Sequence, residues 1–300
     1  MADTERRASE RAAKWRAAKR VAAYVPVVVL SVAFFLPFIW LVLTSLKPDA
    51  DIMAPPPSRL TQVPGWLIPH PVEGRNYADV MTSGGEAHFR FWRYLGNTLV
   101  ISVMCLIGTV LSCSLVAYGL SRIHWRGRDV LFAVILATMM LPYQVVMVPL
   151  FVVFAKLGWV DTFKPLIVPS FLGNAFFIFL LRQFFLGLPR ELTDAAKIDG
   201  ASEFQIYSRI VLPLAKPALA TVALFAFMAA WNDYLGPLIY LNDDSLYTLS
   251  IGLATLRGQY GTYWGLLMAA STVMTVPIIV LFFFTQRTFI QGIQLTGLKG

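Results

Sequence analysis

Three histidines, two cysteines and one acid inside an apolar run are the residues with which this 300-residue chain could do chemistry. His70, His88 and His124 lie in three separate polar segments, and none shares a metal-ligand spacing with another. No Ser-His-Asp context surrounds them. Cys105 and Cys113 lie in one uncharged run, which suits small buried side chains better than a disulfide framework or a metal. The chain carries no G-x-x-x-x-G-K-[ST], so it cannot cradle a nucleotide's phosphates by that route. What remains is Asp233, and a charged stretch at 191–219, ELTDAAKIDGASEFQIYSRIVLPLAKPAL, set between long apolar runs.

The elements that must position these residues are membrane spans. The chain is 57% hydrophobic and 14% charged, far below the charge of about 25% usual in soluble domains. Uncharged runs occupy 21–46, 94–121, 130–155, 165–181, 217–232 and 258–286. A span needs about 17–25 apolar residues. The fourth run is short, but Arg182 can snorkel while Phe184, Phe185 and Leu186 extend the apolar surface. The fifth is cut by Asp233 and resumes through Leu241. Six transmembrane helices follow, an all-α integral membrane protein, because backbone groups in lipid must pair within their own segment and no period-2 strand pattern appears. Prolines in the runs imply kinked helices. Gly108, Ser112 and Ser114 in the second are small enough for close helix approach, or they face lipid.

The net charge of +8 is positional rather than a nucleic-acid signal. Seven basic residues precede residue 21, without aromatic interleaving, and residues 1–20 read as a basic cytoplasmic segment. With the N-terminus inside, 17 of the 25 Lys and Arg fall on the inner side, so the positive-inside rule places both termini in the cytoplasm. The first run is longer than a signal-peptide core and no A-x-A site follows, so it reads as an uncleaved anchor. An outer loop then covers 47–93, with Trp92 and Tyr94 suited to an interface anchor.

This topology puts 187–215 in the cytoplasm. Pro189 suits a first helical position. Leu192, Ala195, Ala196 and Asp199 form a small face, and Gly200 is the natural left-handed stop. Ser202-Glu203-Phe204-Gln205 matches a capping box and restarts a helix with Phe204, Tyr207 and Val211 as its apolar stripe, which Pro213 breaks. Two helices this short are marginal alone, since about 12–15 residues are needed in water. They must pack on the chain's own helix ends or dock into another protein.

The spacing resembles the EAA loop of ATP-binding-cassette importer permeases: E-A-A, three residues, G, nine residues, I-x-L-P. Here it is Asp194-Ala195-Ala196, Gly200 and Ile210-Val211-Leu212-Pro213, with Asp194 in place of Glu. YLGNTLVIS at 94–102, MMLPYQVVMVPL at 139–150, AWNDYLGPL at 230–238 and GIQLTGLKG at 292–300 are similar to the carbohydrate-uptake group typified by the second membrane subunit of the maltose importer.

The resemblance implies a type I importer permease fold. Residues 21–300 would be one transmembrane permease domain, with a core at about 94–287, a coupling loop at 187–215 and a tail at 288–300. It implies that Asp194, Ala195, Ala196, Asp199, Gly200 and Ala201 contact a separate ATPase, with Ile210, Leu212 and Pro213 closing the motif. It implies that Gly297, Lys299 and Gly300 run along the ATPase dimer, against the alternative of a frayed end. Asn232, Asp233 and Tyr234 are candidates for the translocation path or its gate, with an interfacial cap as the other reading of Asp233. Loop 242–262, with Asp243, Asp244, Tyr260 and Tyr263, would meet the binding protein.

The implied partners are an ATPase dimer, a second and different membrane permease subunit, an extracytoplasmic sugar-binding protein and membrane lipid, with no nucleic acid. No cofactor would be bound here, since ATP and Mg belong to the ATPase, and the chain itself would be no enzyme. The implied location is a bacterial or archaeal cytoplasmic membrane, the implied cargo a sugar or oligosaccharide. Glycerol phosphate or a polyamine is the alternative cargo. An ion-coupled secondary transporter is a further class, but only Asp233 intrudes into a span and no internal repeat appears.

Overall fold

The computed structural model describes residues 2–53, 55, 67–82, 89–258 and 261–297; its side chains are described for Trp15, Lys19, 22–53, 55, 67–82, 89–257 and 262–285. Among these residues the protein is helical apart from a two-residue antiparallel ribbon, Arg257–Gly258 against Gly261–Thr262. Four helical stretches are long and apolar enough to cross a membrane, Ala22–Ser45, Phe91–Ser121, Lys164–Leu186 and Trp264–Thr285. Two bent pairs bring the number to six if each pair is one span.

Prolines flank both bends. The uncharged run 130–155 holds two helices, Arg128–Thr138 and Tyr143–Lys156, which meet at 97°. Pro142 lies between them; it has no N–H to donate and disfavours the helical conformation at Leu141. The segments Glu203–Leu214 and Lys216–Trp231 meet at 80°, with Ala215 between them and Pro217 in the first turn of the second.

Phe91–Ser121 is the central helix. It packs along Lys216–Trp231, Ala175–Leu186 and the 3-10 turn Val168–Leu172. Close approach is the reason for its small residues. A Cβ on Gly108 would run into Ser170 and the Phe171 ring, and Ser112 Oγ donates to the Ser170 carbonyl at 3.0 Å. Ser114 is buried against Tyr207. The lipid-facing alternative for this stripe is therefore excluded.

The first helix, Ala2–Ser45, runs through Pro26 and Pro37 and packs on Trp264–Gly297. Most of its described apolar side chains point away from the protein, Phe34 being 81% exposed. Its far end is held by the loop that follows: Ser45 Oγ meets Tyr77 OH at 2.6 Å, and Asn76 donates to the Ser45 carbonyl at 2.9 Å.

Two apolar cores form, one at each end of the bundle. The first joins Tyr118, Leu120, Leu181 and Phe185 to Ala196, Ile206, Tyr207 and Val211. It ties the charged 187–215 segment to the spans. The second joins Phe89, Phe91 and Tyr94 to Trp231, Leu249, Leu256 and Leu267.

Two local expectations are corrected, and Arg182 gains partners. Its Nε donates to the Leu120 carbonyl at 3.1 Å, its Nη2 lies 3.4 Å from the exposed Asp129 carboxylate and its guanidinium lies 4.0 Å from the centre of the Phe132 ring. Tyr94 is not an interface anchor beside Trp92. Residues two apart point to nearly opposite sides of a helix, so Trp92 is exposed while Tyr94 is buried. Pro189 is not the first helical residue; the helix is Glu191–Ile198, and its first turn is closed by Thr193 and Asp194 donating to the Arg190 carbonyl.

Candidate functional site

The 187–215 segment is two short helices joined at a right-handed chain's left-handed residue. Glu191–Ile198 ends at Gly200, which has φ +78° with nothing near a hypothetical Cβ. Glu203–Ile206 follows, opened by the capping box: Ser202 Oγ accepts from the Gln205 N–H, and the Gln205 side chain accepts from the Ser202 N–H at 2.8 Å. A π-type turn over Tyr207–Val211 leads into the short turn Leu212–Leu214.

The helix pair has an inner and an outer face. Thr193, Ala196, Ile206, Tyr207 and Val211 are buried against the bundle. Leu192, Ala195, Asp194, Asp199 and Gly200 are exposed, and so are Ile198 at 87% and Phe204 at 70%. The expected stripe is thus split: Tyr207 and Val211 face inward, whereas Phe204 faces out. The small face divides as well, because Ala196 turns to the core and Ala195 away from it. Ala201, Ile210 and Leu212 are half-buried and Pro213 is exposed.

Polar contacts hold the inner face in register. Tyr118 donates to Glu203 Oε2 at 2.6 Å, and Lys197 Nζ lies 2.7 Å from Glu203 Oε1. One turn along, Tyr207 OH and Ser114 Oγ meet at 2.8 Å, and the rings of Tyr118 and Tyr207 stand edge to face with centroids 5.3 Å apart. Arg122 donates to the Leu188 carbonyl at 2.7 Å. The Lys197 ammonium, followed by the Tyr118 hydroxyl, holds the Glu203 carboxyl below its usual range. Both members of the Lys197–Glu203 pair are about half exposed, so its own contribution is small, about 0.2–1 kcal/mol before any further screening. None of these ties was foreseen from the sequence, although Ser114 and Tyr118 stand four apart in an otherwise apolar run.

The second candidate lies near the opposite end. Lys216–Trp231 stops at Asn232, and Leu235–Tyr240 begins after Asp233, whose Oδ1 accepts the Gly236 N–H at 3.1 Å. Asp233 also lines a cavity of about 850 Å³, together with Cys105, Tyr143, Trp159, Asn174 and Tyr240. The three candidates are not brought together. Asn232 is exposed and bonds back to the Met228 carbonyl, and Tyr234 lines a different groove with Trp40 and Arg257. Cys105 and Cys113 are both free and buried.

The loop after Tyr240 is tightly held. Asp161, at φ +62°, accepts the N–H groups of Asn242 and Asp243. Asp243 accepts the Ser245 N–H at 2.8 Å, a bond that lowers its carboxyl pKa. Asp244 pairs with Arg90 at 3.2 Å. Tyr263 is half-exposed, and Tyr260 lies outside the described residues. Gly297 closes the last helix, while Lys299 and Gly300 lie outside the described residues. Among the described residues no group of three His, Cys, Asp or Glu could hold a metal ion.

Residues 108–294 match the family described as "Binding-protein-dependent transport system inner membrane component". The chain belongs to this family. Its six apolar segments are accordingly those of a multi-pass membrane permease. The permease is similar to the arabinooligosaccharides transport system permease protein AraQ of Halalkalibacterium halodurans, 36% identical over 88% of this chain and 91% of the relative. It is similar to the trehalose/maltose transport system permease protein MalG of Thermococcus litoralis, 31% identical over 94% of this chain and 98% of the relative. A solved chain of a bacterial ATP-binding-cassette transporter involved in the import of the acidic polysaccharide alginate superposes with a TM-score of 0.75. It is 25% identical and covers 90% of this chain and 97% of its own. The permease has the type I importer fold.

Proposed function

We propose that this permease admits a sugar or oligosaccharide to the cell, driven by a separate ATPase dimer that grips the 187–215 helix pair. Its similar proteins named above are all named for saccharides. A second membrane subunit completes the pore, and an extracytoplasmic binding protein delivers the cargo. Both termini face the cytoplasm of a bacterial or archaeal cell, ATP and Mg belong to the ATPase, and the tail residues Gly297, Lys299 and Gly300 reach along it. Asp233 and its cavity lie on the path.

One observation carries the reading. Two large apolar side chains, Ile198 and Phe204, stand 87% and 70% exposed on a helix pair whose other face is clamped to the bundle. Each would gain about 1.5–3 kcal/mol if a partner covered it. Asp194, Ala195 and Asp199 are exposed on the same helix pair, and the small Ala195 admits close approach.

Co-expression with the ATPase, followed by purification in detergent, tests this. The pair Ile198→Glu and Phe204→Glu is expected to release the ATPase while the permease stays inserted; a retained ATPase overturns the docking surface. Uptake of labelled oligosaccharides tests the cargo, and a co-purifying binding protein that carries no saccharide would reject it. A cysteine at Ser202 that reacts from outside intact cells would overturn the orientation.

A further inference from the structure

Glu203 uses both carboxylate oxygens, and it uses them on different elements. Oε1 lies 2.7 Å from Lys197 Nζ, across the Gly200 turn on the first short helix. Oε2 accepts the Tyr118 hydroxyl at 2.6 Å, from the last turn of the central Phe91–Ser121 helix. The spacing repeats one turn on, where Tyr207 reaches Ser114. Glu203 and Tyr207 are four apart, as are Ser114 and Tyr118, so two rungs connect two parallel rows. The rings of the rungs touch edge to face. Tyr118, Tyr207 and Ser114 are all buried.

A glycine turn is the soft point of such a lever. Gly200 meets no neighbouring atoms around its Cβ position, and its backbone tolerates many angles. A push on Ile198 or Phe204 would be absorbed there unless the two helices were braced to each other and to a span. Glu203 provides both braces with one side chain.

We infer that Glu203, with Tyr118 and Lys197, is the positioning unit that passes movement of the short helix pair to the Phe91–Ser121 helix. This rests on the docking reading above. The unit keeps the angle between the helix pair and the span fixed while force is applied. Its loss therefore lowers cargo moved per ATP hydrolysed, rather than the amount of complex.

The experiment uses the whole transporter in liposomes and reads ATP hydrolysis and cargo uptake together, with Tyr118→Phe, Glu203→Met, Lys197→Met and the double variant Tyr118→Phe/Glu203→Met. Tyr118→Phe and Glu203→Met are each expected to keep the ATPase bound and to lower uptake per ATP by about fivefold or more. Lys197→Met is expected to lower it by less, because its pair is half exposed. The double variant is expected to be no worse than Glu203→Met, since Met leaves no acceptor and each change removes the same tie. Unchanged uptake per ATP in Tyr118→Phe and Glu203→Met, or additive losses in the double, overturns the inference. Should Tyr118→Phe fail to assemble, Glu203→Met and Lys197→Met decide, and normal coupling in both overturns it. Failure of the docking reading looks different: the ATPase then stays bound in Ile198→Glu/Phe204→Glu.

Discussion

Tyr94 donates its hydroxyl to Asp244 at 2.5 Å, joining residues 150 apart in the chain. Asp244 also pairs with Arg90, while Asn97 donates to the carbonyls of Ser245 and Tyr247. The loop that the resemblance assigns to a binding protein is thus braced from within by its own acids. Its carboxylates shape the surface rather than stand free on it. Asp244→Ala is expected to cost about 1–2 kcal/mol, a charge-assisted bond discounted for partial exposure. Thermal unfolding in detergent measures it. Tyr94→Phe should cost less, because Arg90 keeps the carboxylate paired.

Gly108→Leu is expected to prevent tight assembly of the bundle, at a cost of about 1–3 kcal/mol or more from overpacking. The new side chain would meet Ser170 and Phe171. Gly96→Leu is the matched control on the same helix, because nothing lies within 4 Å of its Cβ position. Equal melting temperatures for the two variants would contradict the close approach.

Gly200→Leu places a side chain in open space but in a left-handed backbone, so the cost is conformational, about 1–2 kcal/mol. The variant is expected to insert normally and to lose coupling between hydrolysis and uptake. Gly200→Asn, which tolerates that backbone, should retain most of it. Gly200→Pro should uncouple fully. Normal transport in the Leu and Pro variants would remove the turn from the mechanism.

Asp233→Asn keeps an oxygen for the Gly236 N–H, and Asp233→Ala does not. If the residue lies on the cargo path, the Asn variant is expected to match wild-type stability and still transport more slowly. Initial uptake rates and melting curves on the same preparation separate the two effects. Wild-type uptake in Asp233→Ala would reduce the residue to a cap.

Glu203 lies in the charged 187–215 segment, ahead of the apolar run 217–232, and its carboxyl is held below the usual 4.5. A group whose folded pKa is depressed contributes fully above its unfolded value, and the contribution fades as pH falls through the folded one. Uptake per ATP is therefore expected to be flat from pH 8 to about 5 and to fall only below the ordinary carboxylate range. A decline between pH 8 and 6 would point to another group.

The membrane class, the six apolar segments and the helix–glycine–helix segment were legible in the residues because each rests on local physics. Apolar length answers to bilayer thickness, Gly200 to a backbone angle and Ser202 to a cap three residues away. The run at 130–155 marked its apolar character but not its 97° bend, since Pro142 permits a break without dictating its angle.

Facing was decided only by tertiary packing. Phe204 reads as part of one stripe with Tyr207 and Val211, yet the core at that end is filled by Ile206, Tyr207 and Val211, and Phe204 is left outside. Arg182 reads as a lone cation at a span's end, yet the Leu120 carbonyl, the Asp129 carboxylate and the Phe132 ring all meet it. Glu203 reads as one letter of a capping box, yet its carboxylate joins Tyr118 across 85 residues. Local pattern names which elements form, because helices and turns are decided within a few residues. Which side chains meet depends on how those elements are stacked, and that is settled by contacts between segments far apart in the chain.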